Sequence, residues 1–300
     1  MVDFIHNNKD RYGVDAICRI LPIAASTYYR TLDLADNPEH RAKRDLHDEH
    51  HAEQIKRIWK ESSGRYGVRK VWQQLKREGY VIARCTVARL MQKLGIQGVW
   101  RGKNKQTTRS RDDQKRADDL VKRNFNADHP DQLWVADFTY IQTHSGWVYT
   151  AFIIDVFSRA IVGWKVSTRM NTDMVLDALE QALHDRGMPK NVIHHSDRGV
   201  QYLSIRYTNR LEAANLRASV GTTGDSYDNA LAETVNGLYK TEVIEYLKAD
   251  WQGLADVQLA TLNWVDWFNK KRVHSALGYV SPFEFEAMYY DKINPLGQVA

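Results

Sequence analysis

The sequence predicts an α/β domain with a mixed central sheet, preceded by a small all-helical region. Within residues 46–98, apolar side chains recur every three or four positions, which is the period of a helix. From residue 132 onward, runs rich in Val, Ile, Trp, Tyr and Phe come first, and helices then alternate with short strands. This succession is typical of a mixed sheet covered by helices.

The helical region divides into two parts. Residues 1–45 predict a short helical segment that ends in a polar connector over 31–45, either a small helix-turn-helix or a helical hairpin. Residues 46–98 predict three short helices separated by Gly64 and Gly79. Three such helices with a basic surface favour a helix-turn-helix domain, whose third helix, residues 84–94, would enter the major groove of DNA.

Positive charge is concentrated in the first part of the chain. Residues 1–130 carry +10 and residues 131–300 carry −5, and residues 54–110 alone carry +13. Such a block is expected to bind phosphate backbones, with a solvated charged surface as the alternative. A basic linker over 99–126 would lie along DNA or form a free tether. The basic residues predicted to contact DNA are Arg84, Arg89, Lys93, Arg101, Lys103 and Lys105.

Residues 127–290 predict the α/β domain, and residues 291–300 a tail. The predicted strands are 132–141, 147–156, 160–168, 191–195 and 218–220. The predicted helices are 173–186, 203–216, 229–246 and 252–270. No apolar run approaches the roughly 20 residues that span a bilayer, and two cysteines without a Cys-x-x-Cys pair argue against a zinc module.

Three carboxylates in this domain form the candidate catalytic site. Asp137 lies in the first predicted strand, Asp197 follows the fourth, and Glu233 lies in a helix, with 35 residues between the last two. Each alone is more simply explained as an outward-facing, turn or solvated acid. Together they can converge on one cleft, and converging carboxylates hold the hard cations that drive attack on phosphodiesters.

The helix that carries Glu233 has a polar face. Asn229, Glu233, Asn236 and Lys240 recur at four, three and four residues, so they share one side of the helix. Amide and ammonium groups beside a metal site suit a DNA backbone, and we predict DNA contacts for Asn229, Asn236 and Lys240. The alternative is a polar surface stripe.

Several segments resemble the DDE transposases of bacterial insertion sequences. The core that they resemble is similar to retroviral integrases and has a ribonuclease H-like fold, and residues 50–100 resemble the helix-turn-helix before it. The likeness is to the second-frame (OrfB-type) product of the copy-out–paste-in group. The matching segments of the core are 132–141, 154–164, 194–202, 226–233 and 268–282.

The resemblance implies a Mg²⁺-dependent enzyme that cleaves DNA and transfers strands at the ends of an insertion sequence. Asp137 would bridge two Mg²⁺ ions, for which Mn²⁺ can substitute, while Asp197 and Glu233 would each hold one. Lys240 would contact DNA near the cleaved bond. The implied partners are double-stranded DNA (terminal repeats and target), further copies of the chain in a homodimer or higher oligomer, and the first-frame (OrfA-type) product. The implied location is the cytoplasm, at the bacterial nucleoid.

Two other functions stay open at this point. One is a structure-specific DNA nuclease or recombinase on the same fold, and the other is a non-enzymatic DNA-binding repressor derived from a transposase. Asp155 is the rival carboxylate, which we interpret as structural with Arg159 as its candidate partner, and a secondary metal role is the alternative. His194 and His195 precede Asp197, and a role in strand packing is favoured over one in orienting the site.

Overall fold

The computed structural model describes residues 1–100, 120–121, 125–197, 199–221, 230–246 and 250–294. Its first 36 residues form three helices around a small cluster of Ile5, Ile17 and Tyr28. The helices are α1 (Val2–Tyr12), α2 (Val14–Ile20) and α3 (Ala25–Asp36). The predicted connector over 31–45 is therefore wrong in large part, because α3 continues through it and a 3₁₀ turn, Pro38–His40, leads almost directly into the next helix.

The next three helices are those predicted from the apolar spacing. They are α4 (Lys43–Glu61), α5 (Val68–Arg77) and α6 (Arg84–Lys93). Both interruptions contain a glycine in the left-handed region, Gly64 with φ 75° and Gly79 with φ 87°, a conformation that other residues adopt only with strain. The three helices bury a shared apolar core, which includes the almost completely buried Ile55, Ile58, Leu75 and Leu90.

A five-stranded mixed sheet forms the centre of the second domain, as predicted. Its strands are β1 (Leu133–Thr143), β2 (Gly146–Asp155), β3 (Ile161–Ser167), β4 (Ile193–Ser196) and β5 (Arg217–Val220). They lie in the order β3-β2-β1-β4-β5. The first three strands pair antiparallel through tight turns, whereas β4 pairs parallel to β1 and β5 parallel to β4. The fold class and the approximate place of every predicted strand are confirmed.

Helices cover both faces of the sheet. On one face, α7 (Thr172–Asp185) and α8 (Ile205–Ala213) pack on the side chains that include Trp134 and Ala136 of β1. On the other face, α9 (Ala230–Tyr239) and α10 (Leu254–Lys270) pack on Leu133, Val135 and Ile141 of the same strand. Alternation along β1 therefore directs residue 137 towards α9, and this face holds the candidate site.

The end of the chain contains two features that the apolar spacing does not predict. A π-helical segment, Lys240–Glu245, continues α9 without a break, and helix α11 (Pro282–Ile293) follows α10 after the 3₁₀ turn Ser275–Leu277. Ser281 caps α11: its hydroxyl accepts from the Glu284 N–H, and the Glu284 carboxylate accepts from the Ser281 N–H. Among the described residues, no helix is both long and apolar enough to cross a membrane.

The region of α4–α6 docks directly on the second domain. Arg65 lies over the Trp267 ring at 4.8 Å and donates from Nε to the backbone oxygen of Glu242. The Tyr66 hydroxyl donates to the backbone oxygen of Lys271 and accepts from the N–H of Val273. Because these bonds are partly or wholly buried, α4–α6 and the π-helical segment after α9 are held in one fixed relation.

Candidate active site

Asp137 lies in the middle of β1 and is held by two hydrogen bonds. The N–H of Phe138 donates to its Oδ1 at 2.8 Å, and Nδ2 of Asn236 on α9 donates to its Oδ2 at 2.9 Å. The carboxylate is half-buried between the sheet and α9. The sequence places this acid on the strand but does not reveal its amide partner, because Asn236 and Asp137 are 99 residues apart.

Asp197 comes to the same place from the neighbouring parallel strand. The last paired positions of β1 and β4 are Ala136 and Ser196, so Asp137 and Asp197 are the next residues on two strands. Paired strands lie about 4.8 Å apart, which makes the two acids direct neighbours at the end of β4. The N–H of Gly199 donates to Asp197 Oδ1 at 2.9 Å, and a Cβ at this glycine would lie 3.0 Å from that oxygen.

Glu233 lies in the first turn of α9, one turn before Asn236, and its side chain is exposed. Its negative charge contributes to the raised pKa of Asp137, so it lies within electrostatic reach of the two strand acids. The i, i+3 spacing puts Glu233 on the side of α9 that also carries the Asn236 amide. Two strands and one helix thus direct three carboxylates towards one region.

Burial and mutual repulsion favour the protonated forms of Asp137 and Asp197. Burial, followed by the charge of Asp197 and then that of Glu233, raises the pKa of Asp137 to about 8, against the two hydrogen bonds that lower it. Burial also raises the pKa of Asp197, although the Gly199 N–H and the neighbouring His195 oppose the shift. A bound cation would relieve the repulsion between these acids.

The residues fit a hard, partly hydrated cation better than a closed metal cage. Among the described residues, no group of three or more His, Cys, Asp or Glu is arranged closely enough to hold a metal ion. The candidate donors are carboxylate oxygens, which suit Mg²⁺. Near them, Asn236 Oδ1 and the Tyr202 hydroxyl are buried without a hydrogen-bond partner in the described part of the chain. The charges of Asp137 and Asp197 also raise the pKa of Tyr202, after burial and Tyr207.

The other polar residues around the site are structural, as expected. Nε2 of His194 and the Tyr207 hydroxyl are 3.0 Å apart, and burial lowers the pKa of His194 to about 3, so this ring packs in neutral form. His195 Nδ1 lies 2.9 Å from the Ser219 hydroxyl on β5. Asp155 is fully buried and accepts hydrogen bonds from Ser158 and from the Asp131 N–H, which fixes the turn after β2.

The predicted DNA contacts are only partly within the described residues. Arg101, Lys103, Lys105 and Asn229 lie outside them. Arg84 and Lys93 are exposed on α6, while Arg89 on the same helix pairs with Asp48 of α4 at 2.7 Å. Asn236 is only 8% exposed, and its amide donates a hydrogen bond to Asp137. It therefore lies inside the site, which the alternative of a polar surface stripe did not anticipate. DNA contact by these side chains stays a prediction.

Comparison with known proteins identifies the family. A model described as "Integrase core domain" matches residues 127–226, a second of the same description matches residues 214–282, and an "HTH-like domain" matches residues 46–104. The transposase for insertion sequence element IS629 of Shigella sonnei is 52% identical over 293 residues, 98% of each chain. The chain belongs to the insertion-sequence transposases. The resemblance drawn from the sequence motifs is thereby confirmed.

More distant relatives match the transposase over most of its length as well. The transposase InsF for insertion sequence IS3A of Escherichia coli strain K12 is 31% identical over 289 residues, 94% of this chain and 97% of that one. Among solved structures, the HTLV-2 integrase catalytic core in complex with magnesium is 18% identical over 54% of this chain and 99% of that one, with a TM-score of 0.44. The transposase is an enzyme of the polynucleotidyl transferase class, with an integrase core and a DNA-binding helix-turn-helix-like domain.

Proposed function

We propose that this transposase cleaves DNA and transfers strands at the ends of an insertion sequence by Mg²⁺-dependent chemistry in which two metal ions take part. The observation that carries the proposal is the meeting of Asp137 and Asp197 at the point where two neighbouring strands stop pairing. Burial and the charges of Asp197 and Glu233 raise the pKa of Asp137 to about 8 there, and acids held close together in this way cost stability unless a ligand uses them. Divalent cations are the ligands that such a pocket favours.

The resemblance to the family implies the roles of the residues, and the neighbouring positions of Asp137 and Asp197 support them. Asp137 would hold both ions, Asp197 one and Glu233 the other. When bound, two such cations stabilise the attacking and leaving oxygens of a phosphodiester exchange, with water or a DNA 3′-hydroxyl as nucleophile. Asn236 fixes the rotation of the Asp137 carboxylate through its 2.9 Å hydrogen bond, so that the other carboxylate oxygen keeps one orientation.

The partners belong to the same proposal. Double-stranded DNA with the element's terminal repeats would lie along the basic surface of α6 and past Lys240, with target DNA entering the same site. Pairing of two ends requires a homodimer or higher oligomer, and the first-frame product is the proposed companion for end recognition. We also propose that the protein acts in the cytoplasm at the nucleoid, where its DNA substrate would lie.

Incubation with Mg²⁺ and a duplex that carries the inverted repeat flanking the gene tests the proposal. The wild type should join this duplex to a target, and Glu233→Gln should abolish cleavage while leaving DNA affinity largely intact. The matched control is Glu212→Gln, since Glu212 is exposed on α8. Equal loss of cleavage and affinity in Glu233→Gln would refute the metal-ligand role. Cleavage without joining would instead indicate a nuclease, and binding without chemistry a repressor.

A further inference from the structure

Two exposed aromatic rings and a lysine form a cluster at the hairpin between β1 and β2. Tyr140 on β1 is 43% exposed and Trp147 on β2 is 50% exposed, and their rings meet edge to face with centroids 5.4 Å apart. The Lys240 ammonium lies 4.7 Å from the centre of the Tyr140 ring. We call these three residues the aromatic platform. An ammonium group on an aromatic ring is attracted by the face of the ring, and its positive charge also attracts an anionic partner.

The platform is connected to the candidate active site through α9 and the segment that continues it. Tyr140 follows Asp137 by three residues on β1, so the two side chains leave opposite faces of the sheet. Lys240 links them, because it follows Asn236, the partner of Asp137, by about one helical turn and its ammonium lies on the Tyr140 ring. Beyond Ala136, β1 pairs with no described strand on its β4 side, so this edge of the sheet is not covered by described strands. A polynucleotide that reaches the acids can therefore pass round this edge to the platform.

Stability of the hairpin alone accounts for only part of this arrangement. Tyr140 pairs with Tyr149 and Gln142 with Trp147, so Tyr140 and Trp147 are diagonal neighbours, and such pairs stabilise antiparallel strands modestly. That contribution needs no lysine and would be larger with the rings covered. Half of the indole surface is instead exposed beside a cation. An unpaired base with its adjacent phosphate offers a flat ring for the indole and a negative charge for the ammonium.

We propose that the aromatic platform stacks one unpaired base of the substrate DNA, on a strand that passes round the open edge of β1 to the acids. The inference rests on the proposed function, because it places the cut bond at the acids. Stacking of this kind tolerates any base, so the platform holds the strand open and in register without reading its sequence.

An abasic scan in the absence of catalysis tests this proposal. Forked DNA of mixed sequence, with one base removed at each successive position of the unpaired strand, is bound to the protein in Ca²⁺. Loss of a stacked base should weaken binding by about fivefold or more at one position. In Trp147→Leu, which keeps apolar bulk in the hairpin, binding of intact DNA should fall equally, and the penalty at that position should disappear. Trp147→Phe should retain most of both.

The control is Tyr290→Ala, because Tyr290 is also 43% exposed but lies on α11. It should keep the position-specific penalty. The platform would be overturned if the penalty were the same in the wild type and in Trp147→Leu while the two proteins had equal melting temperatures. It would also be overturned if Trp147→Leu formed a smaller oligomer than the wild type and bound DNA with unchanged affinity. Failure of strand transfer in the wild type, with the abasic pattern intact, would count against the proposed chemistry and leave base stacking by the platform in place.

Discussion

A buried ion pair under the docked helix-turn-helix region should be the most sensitive point of the interface. Glu242 accepts from Arg272 Nη2 at 2.6 Å and from its Nε at 3.0 and 3.1 Å, and Trp264 Nε1 donates to it at 3.1 Å. The two charged side chains are 7% and 5% exposed. Burial raises the pKa of Glu242, but the charge and hydrogen bonds of Arg272 outweigh burial and lower it overall. This carboxylate is therefore charged at neutral pH.

Glu242→Gln leaves the Arg272 charge buried without its partner. Loss of one partner of a buried pair costs about 3–5 kcal/mol. For 300 residues the entropy of unfolding is about 0.6 kcal/mol per kelvin, so the melting temperature should fall by about 5–8 °C. Arg65 should keep its contact, because it donates to the backbone oxygen of residue 242 and not to the side chain.

Differential scanning calorimetry measures this loss against a matched control. Glu245→Gln makes the same chemical change on the same π-helical segment, but Glu245 is exposed, so its effect should stay within about 0.5 kcal/mol. Replacing both members, Glu242→Leu with Arg272→Met, should recover most of the lost stability, because no unpaired charge is left. Equal melting temperatures for the two glutamine variants would refute the reasoning.

Three further predictions concern backbone strain and pH. Gly64→Ala should cost clearly more stability than Gly79→Ala in thermal melts. Both glycines have positive φ, but only at Gly64 does an added Cβ collide with the Tyr246 hydroxyl. Equal losses of stability in the two variants would contradict this. The folded state binds the extra proton between the ordinary pKa of Asp137, 3.8, and about 8, so stability falls as pH rises through that window. Metal-free Asp137→Asn should therefore melt higher than wild type at pH 8 and lose the advantage towards pH 4, whereas a uniform difference would contradict the shift. Burial and then the charge of Arg272 lower the pKa of Lys70 to about 7. The unfolded state therefore binds the extra proton between about pH 7 and 10, and stability should rise over that range. Lys70→Met should flatten this rise, and an unchanged slope of stability against pH would count against the shift.

The sequence predicts most of the sheet because its strands alternate and its helices repeat apolar positions. β1, β2, β3 and α7 were expected within about two residues of their observed bounds. Helix α1 falls in the segment predicted to be helical, but its bounds are not predicted, because only Ile5 in it is buried and no apolar stripe marks it. Helix α11 carries a visible signal that spacing alone does not use: a Ser-Pro pair followed by Glu284, which is the pattern of a capping box.

The candidate acids can be selected from the sequence, whereas their partners cannot. Strand end, strand centre and helix are local features, so Asp137, Asp197 and Glu233 could be chosen from sequence. The hydrogen bond from Asn236 and the cation on the Tyr140 ring depend on how α9 crosses β1, a contact between segments far apart in the chain. The docking of Arg65 on α10 is of the same kind, since nothing within a single segment encodes it.

Binding of Mn²⁺ in the presence of DNA, followed by electron paramagnetic resonance, tests the proposed site most directly. The wild-type chain should bind two ions, Asp137→Asn none, and Asp197→Asn and Glu233→Gln one each. Binding should also weaken as pH falls below about 8, because Asp137 must lose its proton to hold a metal. Mn²⁺ binding that is absent from the wild type, or unchanged in Asp137→Asn, would contradict a metal site built from these three acids.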